Sequence, residues 1–282
     1  MKFHKYHGLG NDYIVIDPRE SNVDLGSELI RRICNRNYGI GSDGILYGPA
    51  ACDNTLSVRI FNPDGSEAEK SGNGLRIFSR YLWDIGMVTT EQFVIKTLGG
   101  NIQSQIVDNG TLVRVGMGRV SFDALKIPVI GEPGEVINRT MEIQKRRFLY
   151  SAATVGNPHC VISCDDISPD LAKLYGPLVE LDKRFPNRTN VQFMKVLDRS
   201  TIQIEIWERG AGYTLASGSG STASAAVAFK TGQCDSVITV KMRGGQLNLT
   251  FTPDFDSSLL GPVVAVCHGE ADPELLLMNK EE

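Results

Sequence analysis

The sequence predicts an α+β protein built from two related halves, on three observations. Many short runs rich in β-branched and aromatic residues are punctuated by Gly, Pro, Asn and Asp, helical spacing is confined to a few stretches, and one serine-headed turn occurs twice. The strand-like runs are residues 13–17, 57–61, 93–97, 112–115, 148–150, 160–162, 191–196, 202–207, 236–240 and 263–267. Their short separations favour antiparallel or mixed sheets over a regular alternation of strand and helix. Apolar residues recur at three- and four-residue steps in 25–35, 74–84 and 219–230, which are read as helices.

The repeated feature is Ser71-Gly72-Asn73-Gly74 and Ser217-Gly218-Ser219-Gly220. The two serines are 146 residues apart (217 − 71), and each follows a strand and an acidic, glycine-bearing loop and precedes a helix. The first-turn amides of a helix lack intrahelical partners and lie at the positive end of its dipole, so each turn is a cradle for a carboxylate or phosphate. Two such cradles suggest one anionic ligand held between two duplicated domains. A loose boundary falls between 116–120 and 132–134, which gives a first domain of 1–118, rejoined by a C-terminal strand in 263–282, and a second of 119–262.

Composition narrows the function. The 282 residues, 41% hydrophobic and 22% charged, suffice for two globular domains. A net charge of −4 with no basic run gives no footprint for nucleic acid or an anionic membrane. No signal-peptide core or membrane-length apolar stretch is visible, so a cytoplasmic location is expected. The six cysteines, Cys34, Cys52, Cys160, Cys164, Cys234 and Cys267, are scattered and read as reduced packing residues rather than metal ligands or disulfides. The loop Gly41-Ser42-Asp43-Gly44 lacks the lysine of a P-loop and the spacing of a dinucleotide fingerprint. No metal constellation and no lysine-bearing cofactor site is evident, and no cofactor is expected.

Seven blocks carry a resemblance: His7-Gly8-Leu9-Gly10-Asn11-Asp12, Gly39-Ile40-Gly41-Ser42-Asp43-Gly44, Phe61-Asn62-Pro63-Asp64-Gly65-Ser66-Glu67, Gly72-Asn73-Gly74, Gly156-Asn157-Pro158-His159-Cys160, Arg188-Thr189-Asn190-Val191 and Glu208-Arg209-Gly210-Ala211-Gly212. In order and spacing, over nearly the whole chain, they resemble diaminopimelate epimerase. The resemblance implies two pseudo-symmetric domains, each a sheet wrapped around a central helix, and an isomerase that works without pyridoxal phosphate, using one base and one acid on opposite faces of Cα. It places those groups, cysteines in the family, at Ser71 and Ser217, with His159 and Glu208 as their activators. It assigns substrate binding to Asn11, Asn62, Gly72, Asn73, Asn157, Asn190, Arg209, Gly218 and Ser219. Further departures are Gly44 for a family Gln, Ile77 for a common Cys, Ser221-Thr222 for Ala-Cys, and Tyr213 for Glu or Pro.

A thiol titrates near 8.5 and is lowered at a helix N-terminus, whereas a hydroxyl needs a neighbouring base. Four readings therefore stand: an altered isomerisation, elimination or cyclisation of an amino-acid-like substrate; a serine-activated epimerase; a binding protein without turnover; and an epimerase trapped by cysteine-to-serine replacement. The first is favoured, because the departures extend beyond the two serines. Tyr213 is either an aromatic face for a cationic or aromatic substrate or an ordinary loop tyrosine. The expected partner is a small amino-acid-like molecule, and a homodimer stays open.

Overall fold

The computed structural model describes residues 1–21, 23–50, 56–131 and 133–277. Two compact units are present: Met1–Val115 with Gly261–Glu282, and Gly116–Leu260. The strands Leu112–Arg119 and Asp256–Pro262 carry the chain from one unit to the other. The molecule is sheet-rich with few helices, an α+β architecture in which each unit holds one long central helix.

In the first unit a six-stranded sheet runs in the order Val264–Glu270, Lys2–Gly8, Asn11–Ile16, Ile45–Tyr47, Arg59–Phe61, Glu67–Ala68. The C-terminal strand thus pairs with the N-terminal one, His4 opposite His268. Helix α1 (Ser27–Cys34) buries Ile30, Ile33 and Cys34 against Ile14, Ile16, Ile45 and Phe61. Helix α2 (Gly72–Asp84) is the central one, burying Leu75, Ile77, Phe78, Tyr81 and Leu82. The expected strand 57–61 is split. Leu56–Ser57 pairs with Phe93–Thr97, Arg59–Phe61 pairs with Ile45–Tyr47, and Val58 between them still donates its N–H to Lys96 O.

The second unit repeats this plan. Arg139–Ile143, Arg146–Thr154, Pro158–Ser163, Asn190–Asp198, Thr201–Glu208, Val237–Met242 and Gly245–Phe251 follow one another in its sheet, and the short strand Gly212–Thr214 pairs with Thr201–Glu208. Helix α3 (Pro169–Glu180) packs on one side and the central helix α4 (Gly218–Lys230) on the other. Ten residues of α4 are buried, and the run Ala223, Ala225, Ala226, Val227, Ala228 explains it: small side chains let strands approach from all round.

The duplication extends to the register. Ile14 pairs in parallel with Ile45, and Cys160 with Val191; Ile45 pairs antiparallel with Phe61, and Val191 with Trp207; Phe61 pairs with Glu67, and Trp207 with Tyr213. Every one of these partners is displaced by the interval that separates the two serines. Both central helices have 13 residues, and both stop at a glycine with φ of +72°, Gly86 and Gly232, where a side chain would be strained.

Helix α3 is an element that periodicity did not predict, because Gly176-Pro177 reads as a break. Its start carries the expected signals: Ser168 accepts from Leu171 N at 3.1 Å and Pro169 takes the first turn, where its missing N–H costs nothing. Gly176 is there for contact. A Cβ at this position would lie 2.5 Å from Cβ and Cγ of Trp207. Gly176→Ala is expected to cost about 1–3 kcal/mol as overpacking, read as a lower denaturant midpoint. An unchanged midpoint would mean that α3 can shift off Trp207 without cost.

Five cysteines lie among the described residues, all free: Cys34, Cys160 and Cys234 buried, Cys164 half-buried, Cys267 exposed. Cys52 lies outside them. Burial pushes the Cys164 thiol up to about 11 and raises that of Cys160 further, so both stay protonated. Among the described residues no helix is long and apolar enough to cross a membrane, and no cluster of three or more His, Cys, Asp or Glu is placed to hold a metal.

Candidate active site

Each serine-headed turn is an N-cap. Ser71 Oγ accepts from Gly74 N at 3.0 Å and Ser217 Oγ from Gly220 N at 3.2 Å, both with extended backbone before the helix begins. The hydroxyl oxygens are thus held over the first turns, beside the N–H groups of Gly72 and Asn73 in one unit and of Gly218 and Ser219 in the other. No acidic side chain occupies the first turn of either helix, so the positive end of the dipole is left uncompensated.

The first turn is braced from below. Asn73 Nδ2 donates to Asn11 Oδ1 at 3.0 Å, and Asn11 Nδ2 donates to Asp43 Oδ2 at 2.9 Å. Asp43 and Asp12 share Arg36, and Asp12 also pairs with Lys5 at 3.0 Å. Burial alone would push the Asp12 carboxyl up, but the hydrogen bonds from Arg36 and Lys5 outweigh it and hold it below the usual range. The loop that supplies Asp43 folds back on α1, with Gly41 N and Ser42 N donating to Ile33 O and Cys34 O. Gly44 is fixed by sterics: a Cβ there would fall 2.6 Å from both Phe61 O and Cε1 of Tyr13. The bare glycine makes room for the Tyr13 ring, whose hydroxyl lies 3.1 Å from Ser71 Oγ.

The second turn has a different support. Asn157 Nδ2 donates to Ser219 Oγ at 3.3 Å, Asn157 Oδ1 lies 3.1 Å from His159 Nε2, and His159 Nδ1 lies 3.1 Å from Gln192 Oε1. His159 is fully buried, and the loss of hydration pulls its imidazole down to about 4. An amide oxygen faces each ring nitrogen, and a neutral ring, with one N–H, donates to one of them. The ring nitrogens are therefore occupied by Asn157 and Gln192.

The remaining predicted residues divide into two groups. Asn190 is buried and fully used, donating through Nδ2 to Pro158 O at 2.9 Å and accepting through Oδ1 from Arg209 N at 3.0 Å. It ties the start of its strand to the loop that carries Glu208 and Arg209. Glu208 ends the strand Thr201–Glu208 opposite Gly212, and the Arg209 side chain donates to Asn187 O at 3.1 Å. Asn62 holds its own turn through Ser66. Tyr213 faces α3: its hydroxyl donates to Glu205 Oε2 at 2.6 Å, Lys173 Nζ lies 5.1 Å from its ring centroid, and it packs on the cluster formed with Ala172 and Val179. Its ring already carries a cation from the protein, which favours the plain structural reading of this residue.

Two groups at the first turn escaped the sequence reading. One is Tyr13, which occupies in the first unit the place of His159 in the second; the spacing of Ser71 and Ser217, applied to His159, would have found it. The other is Lys70, whose ammonium is pulled down to about 8 by burial immediately before Ser71. Alone, a lysine before a serine gives no signal.

Comparison with known proteins places the chain in a family. The family model for diaminopimelate epimerase matches residues 3–122 and 151–267. "Diaminopimelate epimerase 2" of Nostoc sp. is 58% identical over 280 residues, covering 99% of this chain and 98% of the relative. "Diaminopimelate epimerase" of Moorella thermoacetica is 37% identical, covering 96% and 99%. Among solved structures, a hydroxyproline epimerase from Agrobacterium vitis superimposes with a TM-score of 0.69 at 13% identity over 98% of this chain and 93% of that one, and a methylitaconate-delta-isomerase with 0.66 at 10% identity over 100% and 98%. At those identities the likeness is one of fold. With a family match across most of its length and a relative identical at more than half of the aligned positions, the chain belongs to the diaminopimelate epimerase family.

Proposed function

We propose that this protein is an isomerase-family enzyme acting on an amino-acid-like substrate, with the substrate carboxylate bound on the amides of the serine-headed turns, and that its proton transfer is altered from two-thiol epimerisation. The observation that carries the reading is the pair of helix caps. Ser71 Oγ and Ser217 Oγ each occupy the cap of a central helix, and neither has a thiol's acidity. A hydroxyl gains basicity only from a partner. At the first turn that partner is Tyr13, 3.1 Å away, and at the second the neutral His159 is engaged elsewhere.

The ligand-holding groups support an amino acid. Asn11 and Asn157, at corresponding places in the two units, buttress Asn73 and Ser219 and so fix the turn amides. In this reading Asn62, Asn157, Asn190 and Arg209 bind the end of the substrate distant from the reacting carbon, Arg209 through a fork suited to a carboxylate. Catalysis requires no cofactor in this reading, and His159 or Glu208 moves the proton.

LL-Diaminopimelate, meso-diaminopimelate, lysine and proline incubated in deuterium oxide test this by mass spectrometry. Slow incorporation at Cα of a diaminopimelate isomer is expected, and it should be lost in a His159→Ala, Glu208→Ala double variant. Exchange in the unmodified chain at hundreds of turnovers per second would establish ordinary epimerisation through serine. Stabilisation against heat by one of these amino acids without exchange would favour the binding protein, because a ligand that prefers the folded state raises stability without chemistry.

A further inference from the structure

Among the described residues Arg76 is the largest side chain that is fully buried, and no acidic side chain among them pairs with it. Its Nη1 donates to Gly72 O at 3.2 Å, its Nη2 donates to Asn73 Oδ1 at 2.7 Å, and its Nε has no partner. Gly8 leaves room for the guanidinium, since a Cβ there would lie 3.0 Å from Nη2. The groups that bond it are a carbonyl and an amide oxygen, which are dipoles and leave the unit charge uncancelled. Burial lowers its pKa only to about 10, so it stays charged at neutral pH. An unpaired buried cation is costly and is rarely kept without a use.

The second unit provides an internal control. At the corresponding place stands Thr222, whose hydroxyl makes the equivalent bond to Gly218 O at 2.8 Å. The helical bond to the turn carbonyl is thus reproduced with no charge. What Arg76 adds over Thr222 is its cation and the hold on Asn73.

We propose that Arg76 is a positioning residue that makes the Ser71 turn the more strongly anion-attracting of the two, fixing Asn73 and supplying from beneath a positive charge that only a bound carboxylate neutralises. The inference rests on the reading of the turns as carboxylate cradles. It assigns to the first turn the stronger grip on the substrate carboxylate, and to Ser71 the greater stabilisation of any negative charge that develops on its side chain. The guanidinium bonds Gly72 O and Asn73 Oδ1, both in the first turn that Ser71 caps, and a nearby cation favours the charged form of an acid.

A thiol introduced by Ser71→Cys serves as the probe, its pKa read from the pH dependence of alkylation by iodoacetamide, with the modified residue located by mass spectrometry. Adding Arg76→Gln, which keeps a donor without charge, or Arg76→Met, which keeps neither, is expected to raise that pKa by about one unit. In a parallel pair, Thr222→Val should leave the thiol of Ser217→Cys within a few tenths of a unit. In the chain with its serines intact, Arg76→Gln should weaken calorimetric binding of LL-diaminopimelate about tenfold while the melting temperature holds or rises, as removal of an unpaired buried charge allows. A thiol pKa that stays unchanged in both Arg76 variants, or loss of the fold in both, overturns the proposal and leaves Arg76 a structural strut. If LL-diaminopimelate fails to bind the unsubstituted chain, the substrate reading falls, while the thiol titration still decides the role of Arg76.

Discussion

Placing thiols at both turn heads, Ser71→Cys with Ser217→Cys, is expected to raise deuterium exchange at Cα of LL-diaminopimelate by about 10²–10⁴-fold over the unsubstituted chain. The reason is acidity. A thiol titrates near 8.5 and falls toward neutrality at a helix N-terminus, so an appreciable fraction is already thiolate at pH 7.5, whereas a hydroxyl contributes almost no alkoxide. Both positions receive the stabilising field of an uncompensated helix N-terminus, since neither α2 nor α4 has an acidic residue in its first turn. Each single replacement should give much less than the pair, because exchange with inversion needs an acid and a base together. Initial rates by mass spectrometry in deuterium oxide provide the measurement. A double variant no faster than its parent would mean that the pocket has diverged along with the acid and base, and the substrate class would have to be widened beyond diaminopimelate.

The second large effect concerns pH. His159 is buried as the neutral imidazole, with its folded-state pKa near 4 against about 6.5 when unfolded. The unfolded chain therefore takes up a proton at higher pH than the folded one. Stability supplied by the neutral ring is fully present above pH 6.5 and is lost as pH falls from there to about 4. With each pKa unit equivalent to about 1.4 kcal/mol, the loss amounts to about 3 kcal/mol across that window. His159→Gln should flatten the stability curve between pH 6.5 and 4, as read from urea midpoints at a series of pH values. The window is separate from that of Asp12 and Asp17, whose lowered pKa values give a contribution that is fully present above the ordinary carboxylate pKa and is lost only as pH falls below it. A curve that keeps its slope in His159→Gln would show that His159 is charged in the folded state and that the network with Asn157 and Gln192 is arranged differently.

Much of the fold follows from local signals. The runs at 160–162, 191–196 and 202–207 became strands because β-branched and aromatic residues suit a pleated, half-buried surface, and residues 74–84 and 219–230 became the central helices behind serine caps. The repeat was visible as Ser-Gly-x-Gly because turn chemistry is written in adjacent residues. Helix α3 was hidden, since Gly176-Pro177 signals a break locally while the requirement it meets, close approach to Trp207, lies 31 residues away.

For the site, the sequence by itself determined the two turns, the family to which they belong, and the list of polar residues around them. Only the tertiary structure decided which of those residues touch. It put Asn11 on Asn73 and Asn157 on Ser219, turned Tyr213 toward Glu205, spent both nitrogens of His159 on amides, and set the Tyr13 hydroxyl beside Ser71. It also revealed Arg76 as an unpaired cation under one turn, with Thr222 in the corresponding place under the other. The physical reason is range. Caps, turns and periodicity act over a few residues and can be read along the chain, whereas burial, desolvation and hydrogen-bond partnership depend on strands brought together from distant positions, and those set the charge and acidity on which the chemistry depends.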